Sequence, residues 1–541
     1  MRVRAFAVII AGLTAVGCSR SPTFTHEIAP ILQRRCAPCH HAGGAAPFAL
    51  VTYADARPRA RQIERVTARG YMPPWKAAAT VHYANERRLD AGERALLQRW
   101  ATAGAPRGDG AEPAAPTFRD GWQLGTPDVV VKLPPYTLAA DGPDVYRNFV
   151  IPSPLPGMRW VAAWEFRADT RAIHHAILNL DATGWARKRD ARDAEPGFDG
   201  MDPGDIQAPD GFYLVWTPGQ APTPPDPQAA WPLDARTDLV LQLHLRPTGK
   251  PETIAPTIAL YLAPAPPTQA RVTLRIGDVP IDLAPGVRDY KIRDQWTLPV
   301  AVELVSLFPH AHYLAQRMRV WARLPDGREQ PLLAIDDWDP AWQDEYVLAA
   351  PLALPRGSTV AMEFTYDNSA GNPRNPNRPP ARVVTGERTL DEMGNVTLVA
   401  RVASPADKLQ LREAKFRRQL AAGAGARARY NLGNTLMAEG RAQEAVEEFR
   451  RALTLDGDLM AAQVNLGAAL LALGDVEGAR AQLDAAARRW PDSATAHANL
   501  GRALIAAGRR DAAAAELERA LALDPNFAPA RAALETLRRQ P

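Results

Sequence analysis

The sequence predicts a multidomain chain with three textures: a small all-α unit, two antiparallel β-sandwich domains of jelly-roll-like type, and a C-terminal α-solenoid of repeats. Three observations predict it. Cys36-Ala37-Pro38-Cys39-His40 sets a C-x-x-C-H motif near the N-terminus. Short alternating apolar stretches, among them Val129-Val130-Val131, Leu239 to Leu245 and Val396 to Val402, then recur between turn clusters. After Ser404 the strand patterns stop and Ala/Leu/Arg/Glu helical periodicity takes over with a fixed internal repeat. A length of 541 residues accommodates three or four such domains, each large enough for its own core.

Residues 1–18 read as a lipoprotein signal peptide. Arg2 and Arg4 precede an apolar run from Ala5 to Val16, too short to span a bilayer comfortably. Ala15-Val16-Gly17-Cys18 resembles a bacterial lipobox, with Cys18 as the lipidated first residue; ordinary signal cleavage is the alternative. Ser19, where Asp would signal retention, leans toward the outer membrane. The chain is therefore expected in the cell envelope, facing the periplasm or the surface and held to the membrane by its lipid anchor only. A net charge of +4, with arginine spread along the chain, does not imply nucleic acid. With Cys18 lipidated and Cys36 and Cys39 engaged, no cysteine pair is left for a disulfide.

The first unit, residues 21–110, reads as a c-type cytochrome carrying one covalently bound heme c. Cys36 and Cys39 attach the vinyl groups and His40 supplies the proximal nitrogen. Met72, in Tyr71-Met72-Pro73-Pro74-Trp75, is the candidate distal ligand; His82 and His26 are alternatives, and His41 reads as a surface neighbour. A Met/His pair raises the heme potential and leaves no open position, which suits electron transfer. Leu89 to Ala103 reads as the helix that packs beside the heme. Residues 111–124, with Pro113 and Pro116, form a linker.

In the β region, residues i and i+2 of a strand face the same way, so His310 and His312 can address one metal. Pro309 puts them near a strand edge or end. His244 shares one strand face with Gln242 while leucines line the other. The vicinal pair His174-His175 needs a bulge or a strand end to act together. Alone, His244 reads more readily as a buried structural histidine; five histidines in three short motifs favour ligation. Imidazole suits zinc, copper, iron or nickel. Met393, Met318 and Met362 are all possible thioether partners, each equally readable as core filling.

The region from about Gly125 to Val402 resembles the copper type II, ascorbate-dependent monooxygenases, the family of the peptide-amidating and dopamine-hydroxylating enzymes. The matching motifs are His174-His175, the Leu-Gln-x-His strand ending at His244, His310-x-His312, Asp391-Glu392-Met393, Trp342-Gln343-x-x-Tyr346 and Tyr366-Asp367-Asn368-Ser369. The resemblance implies two β-sandwiches, residues 125–265 and 266–404, each holding one copper ion. His174, His175 and His244 would store and pass an electron; His310, His312 and Met393 would bind O2 and hydroxylate a C–H bond. Asn395 also matches. Phe308 and Thr397 stand where peptide-amidating members carry Arg and Tyr, so the clamp for a substrate carboxylate is lost. The family's disulfides are absent. The resemblance thus implies an oxidoreductase acting on O2 and an unnamed organic substrate. Its electrons would come from ascorbate or a redox protein, supplied through the fused heme; if the His174/His175 copper is the entry point, removing that pair should block heme re-oxidation. The alternatives are a non-catalytic electron relay or copper-binding protein, and a repeat scaffold with relict metal domains.

Residues 405–426 form a helical linker, and residues 427–541 are tetratricopeptide repeats with a capping helix. Asn431-Leu432-Gly433 recurs at Asn465-Leu466-Gly467 and Asn499-Leu500-Gly501, a period of 34 residues. Gly440, Gly474 and Gly508 would end the first helix of each unit, and Ala445, Ala479 and Ala513 would let the second pack close. Pro491 and Pro525 start the next unit, and Ala528 to Arg539 caps the stack. The stack would hold a protein partner. His497 reads as a helix-surface residue.

Overall fold

The computed structural model describes residues 20–118, 121–201, 214–386, 388–525 and 527–539. The signal segment and Cys18 lie outside the described residues. Among those described, no helix is long and apolar enough to cross a membrane.

The N-terminal unit packs the helices Ala29–Arg35, Ala60–Ala68 and Ala91–Thr102 around Phe24, Ile28, Leu32, Leu97 and Trp100. Asp90 starts the last helix by accepting the Glu93 N–H at 2.8 Å, and the Glu93 side chain returns the bond to the Asp90 N–H. One segment leaves this core. Trp75, Ala77 and Tyr83 are buried in the core of the second β unit. Ala77 bridges Ile335 and Tyr83 bridges Leu348. Those partners lie on Glu329–Ile335 and Tyr346–Leu354, the edge strands of two different sheets. The segment thus covers two strand edges that would otherwise present unpaired backbone groups. The helical unit is not self-contained over residues 21–110, because these residues satisfy strands elsewhere.

The first β unit carries its histidines on one five-stranded antiparallel sheet. Its strands are β1 (Val145–Ile151), β2 (Ile173–Asp181), β3 (Phe198–Asp199), β4 (Val215–Trp216) and β5 (Asp238–Leu245), in the order β3-β1-β5-β2-β4. A four-stranded sheet containing Arg159–Arg167 and Thr257–Ala263 packs against it, and the two share one apolar core that includes Phe149, Leu241, Leu243, Phe166 and Leu260. The second unit repeats the plan. Its histidine sheet comprises β6 (Ala270–Gly277), β7 (Val302–Ala311), β8 (Tyr346–Leu354) and β9 (Gly394–Val402), in the order β6-β9-β7-β8. Leu307, Leu398, Met318, Met362 and Phe364 fill the core between it and its partner sheet. Met318 and Met362 are therefore packing residues.

The helix Pro405–Ala421 joins the β region to the repeats. It buries Leu411 in the second β core and Phe416 in the repeat core. Six paired helices and the cap Ala528–Arg539 follow. The recurring glycines have two separate jobs. A Cβ on Gly433, Gly467 or Gly501 would come within 2.6, 2.4 and 2.7 Å of Phe449, Leu483 and Leu517, so these positions let paired helices touch. Gly440, Gly474 and Gly508 sit at φ of +78°, +81° and +71°, the left-handed conformation that ends a helix. His497 departs from the surface position expected of it. It is buried, with ring nitrogens 2.6 Å from Glu516 and 3.0 Å from the Pro491 carbonyl, because its helix face turns toward the next helix.

Candidate metal centres

The first set forms where β2 meets β5. Ile173 pairs with Leu245, but the next partner of His244 is His175, so His174 is the extra residue of a bulge. The bulge brings both vicinal rings to one place. Candidate ligand atoms of His174, His175 and His244 lie within 4.8 Å of one another. The three Nδ1 atoms converge: His175 Nδ1 is 3.4 Å from His174 Nδ1 and 3.4 Å from His244 Nδ1. His244 donates from Nε2 to the Asp144 carboxylate at 2.8 Å, which fixes the tautomer and leaves the Nδ1 lone pair free. Tyr146 stacks on the same ring at 4.3 Å. Burial, then the neighbouring His174, pushes His244 down to about 3. Burial likewise holds His174 and His175 below the ordinary histidine range. The rings are held in the neutral form that binds metal, and three neutral imidazoles fit copper or zinc.

The second set forms at the end of β7. Pro309 is tolerated inside the sheet because β8 pairs with β7 only as far as Leu307. His310 pairs with Asn395 and Ala311 with Gly394, and the same register carried one residue further sets His312 opposite Met393. His310 donates from Nδ1 to the Gln343 amide oxygen at 2.7 Å, and His312 from Nδ1 to the Asp391 carbonyl at 2.9 Å. Both Nε2 atoms are left for a ligand. The rings are 5.2 Å apart and nearly perpendicular. Burial and His312 push His310 down to about 4. Two imidazoles at the strand end beside the backbone of Met393 suit copper.

Glu392 ties this set together. Its carboxylate is fully buried and accepts the backbone N–H groups of His312 at 2.6 Å, Leu314 at 2.8 Å and Met393 at 2.9 Å. One side chain thereby fixes the histidine strand end to the methionine loop. Burial raises it to about 7 against the pull of those three donors. Behind Met393, the Tyr366 hydroxyl donates to its carbonyl at 2.9 Å. A Cβ on Gly394 would sit 2.1 Å from that hydroxyl oxygen. Asn395 is 2 % exposed, and its amide nitrogen is buried without a hydrogen-bond partner. Phe308 and Thr397 pair across β7 and β9, two residues along from His310 and Asn395 and on the same face.

In the N-terminal unit, His40 donates from Nδ1 to the Phe48 carbonyl at 3.0 Å, leaving Nε2 free. Cys36 and Cys39 are unpaired thiols. Burial pushes Cys36 up to about 12 and raises Cys39 too, so both are held as thiols. The residues fit covalent heme attachment with a pre-oriented proximal histidine. Met72 is half-buried and donates its N–H to the Val66 carbonyl at 3.2 Å. Of the alternatives, His26 is tied to Asp109 at 3.0 Å, and His82 is exposed on the segment that covers the strand edges. His41 stacks on Phe118 at 3.9 Å.

Asp144 and the orienting roles of Gln343 and Glu392 are not visible in the sequence alone. Gln343 and Glu392 stand in Trp342-Gln343-x-x-Tyr346 and Asp391-Glu392-Met393, which is the signal the sequence carries for them; Asp144 has none.

Comparison with known proteins bears on the C-terminal part. Tetratricopeptide repeat profiles match residues 410–459 and 464–528, and residues 436–489. The chain therefore ends in tetratricopeptide repeats, a protein-interaction scaffold, after a large β-rich region. The Arabidopsis OM64 TPR domain is 25% identical over 21% of this chain and 94% of its own, with a TM-score of 0.21. The first TPR of Spaghetti (RPAP3), bound to the HSP90 peptide SRMEEVD, is 22% identical over 21% of this chain and 90% of its own, with a TM-score of 0.20. MamA is 22% identical over 25% of this chain and 82% of its own, with a TM-score of 0.23. No curated protein matches the chain.

Proposed function

We propose that the chain is an exported, lipid-anchored copper monooxygenase with a built-in heme electron supply. The observation that carries the reading is the pair of unlike ligand sets: three converging Nδ1 atoms at His174, His175 and His244, and two Nε2 atoms beside a methionine loop at His310, His312 and Met393. When bound, copper at the second set would supply O2 activation, copper at the first a stored electron, and heme c on Cys36, Cys39 and His40 the reducing equivalents.

The chain's own residues do the rest. Asp144 and Gln343 hold rings in single tautomers. Glu392 holds the second set's backbone. Asn395 keeps a buried amide nitrogen without a partner beside this set, and Thr397 lies between Phe308 on one neighbouring strand and Arg275 on the other. Cys18 would anchor the chain, and the repeats would recruit a protein partner.

The test is metal analysis of the purified chain, then O2 consumption with ascorbate over a panel of organic substrates. The reading expects two coppers and one heme per chain, with substrate-dependent O2 uptake. Zinc alone, or copper without O2 chemistry, refutes it.

A further inference from the structure

The N-terminal unit touches the β region around Trp342, Gln343 and Asp344. Tyr71, next to Met72, packs edge-on to Trp342 at 5.4 Å. Arg87 donates to the buried Asp344 carboxylate and, at 3.4 Å, to the Gly219 carbonyl. Cys39 Sγ lies 3.8 Å from that same carbonyl. Two residues before Gly219, the Thr217 hydroxyl donates to the Gln343 carbonyl at 3.5 Å. The Gln343 side chain accepts from the ring of His310. A chain of contacts thus runs from the heme-attachment cysteine to a ligand of the second set. It runs through Gly219 to Arg87 and Asp344, or to Thr217, and then through Gln343. The first set is joined less directly. The loop bearing Gly219 follows β4, whose Trp216 pairs by backbone with Ala176, beside His175. The ring partners of His175 are instead His174, His244 and Tyr146.

We propose that electrons pass from the N-terminal heme to the His310/His312/Met393 set first, across the contact of Cys39, Gly219, Thr217 and Gln343, rather than to the His174/His175/His244 set. This rests on the monooxygenase reading. It sets aside the first set as the entry point. One electron leaves ferrous heme, which becomes ferric, and one cupric ion at the second set becomes cuprous; no bond forms or breaks and no proton moves. The edge-covering segment holds this contact in place. Asn85 bonds the Glu345 carbonyl at 2.6 Å and the Val347 N–H at 3.2 Å, after Gln343 and Asp344, and Ala78 donates its N–H to the Ala334 carbonyl at 2.8 Å, before them.

The test is anaerobic stopped-flow on the full chain, with heme attached and both coppers oxidised. A sub-stoichiometric pulse of dithionite reduces the heme, and its absorbance reports re-oxidation by copper without any turnover. In His174→Ala/His175→Ala, re-oxidation should proceed as in the unaltered chain. In His310→Ala/His312→Ala it should slow by about tenfold or more, and Gln343→Leu or Thr217→Val that retain full copper should slow it too. Loss of re-oxidation in the His174/His175 variant with retention in the His310/His312 variant overturns the route. So do unchanged rates in both Gln343→Leu and Thr217→Val. Heme and copper content, measured first, separate the two failures. An unaltered chain without covalent heme or copper overturns the functional reading and this route with it; a fully loaded chain with the reversed order overturns the route alone.

Discussion

At His174, His175 and His244 a β-bulge and an outward carboxylate set the rings; at His310 and His312 a regular strand presents the rings and a buried carboxylate sets the backbone. Both sets sit on the sheet of a two-sheet unit, and both keep their imidazoles neutral by burial. They differ in what lies behind the ligands. Asp144 touches a ring, so it tunes one ligand. Glu392 touches no ring, yet it holds His312 and Met393 at once. The first set therefore has one ring held by a carboxylate, whereas the second has a partner on each ring and a buried carboxylate that fixes its backbone as a unit.

Breaking one set should leave the other intact, and the largest effect should come from a ligand. His310→Ala should remove one of two coppers and abolish hydroxylation, with the heme spectrum unchanged; metal content and O2 uptake measure this. Next is Glu392→Ala. It strands three buried N–H groups at about 1–3 kcal/mol each. It should also weaken copper at the second set by about 10–100-fold while the first set keeps its copper. Denaturant melts and copper titrations read both. Asp144→Ala should reproduce only the loss of affinity, and at the other set, near the lower end of the same about 10–100-fold range.

A smaller effect separates the groups by sign of pH dependence. His244 is held at about 3 and His310 at about 4, below the ordinary 6.5. Between those values the unfolded chain binds protons that the folded chain refuses. The metal-free protein therefore loses stability as pH falls from 6.5 toward 4, by at most about 1.4 kcal/mol per pH unit for each ring. Glu392, raised to about 7, has the opposite sign: its contribution is present below its ordinary 4.5 and is lost as pH rises to 7. Thermal melts of metal-free Glu392→Gln should consequently fall more steeply with acid between pH 6.5 and 4.5 than those of the unaltered protein. The smallest effect should come from deleting residue 423 onward. Leu411 stays in the β core, and the partners lost are those of Phe416, Leu420 and the Glu413–Arg441 ion pair on the joining helix, so both sets should keep their copper while partner binding is lost.

The two histidine clusters were legible because their spacing is local. An i, i+2 pair shares a strand face whatever the sheet, and a vicinal pair demands the bulge that β2 supplies. The repeats were legible for the same reason, down to the cap at Ala528–Arg539. What the sequence hid is pairing at a distance. Asp144 reaches His244 across 100 positions. The segment holding Trp75, Ala77 and Tyr83 joins strands more than 250 positions away. Such edge pairing uses backbone groups, which leave no pattern in side chains. His497 failed as a surface residue for a related reason: its burial depends on Glu516 from the next helix.

The most direct test of the two unlike sets is X-ray absorption at the copper edge of the reduced, fully loaded chain. Two coppers with only one thioether between them should give about one Cu–S contact per two ions. That sulfur shell should vanish in Met393→Ala and persist in His174→Ala/His175→Ala. A sulfur shell absent from the unaltered chain, or one lost with His174 and His175 and kept without Met393, would contradict the assignment of the second set.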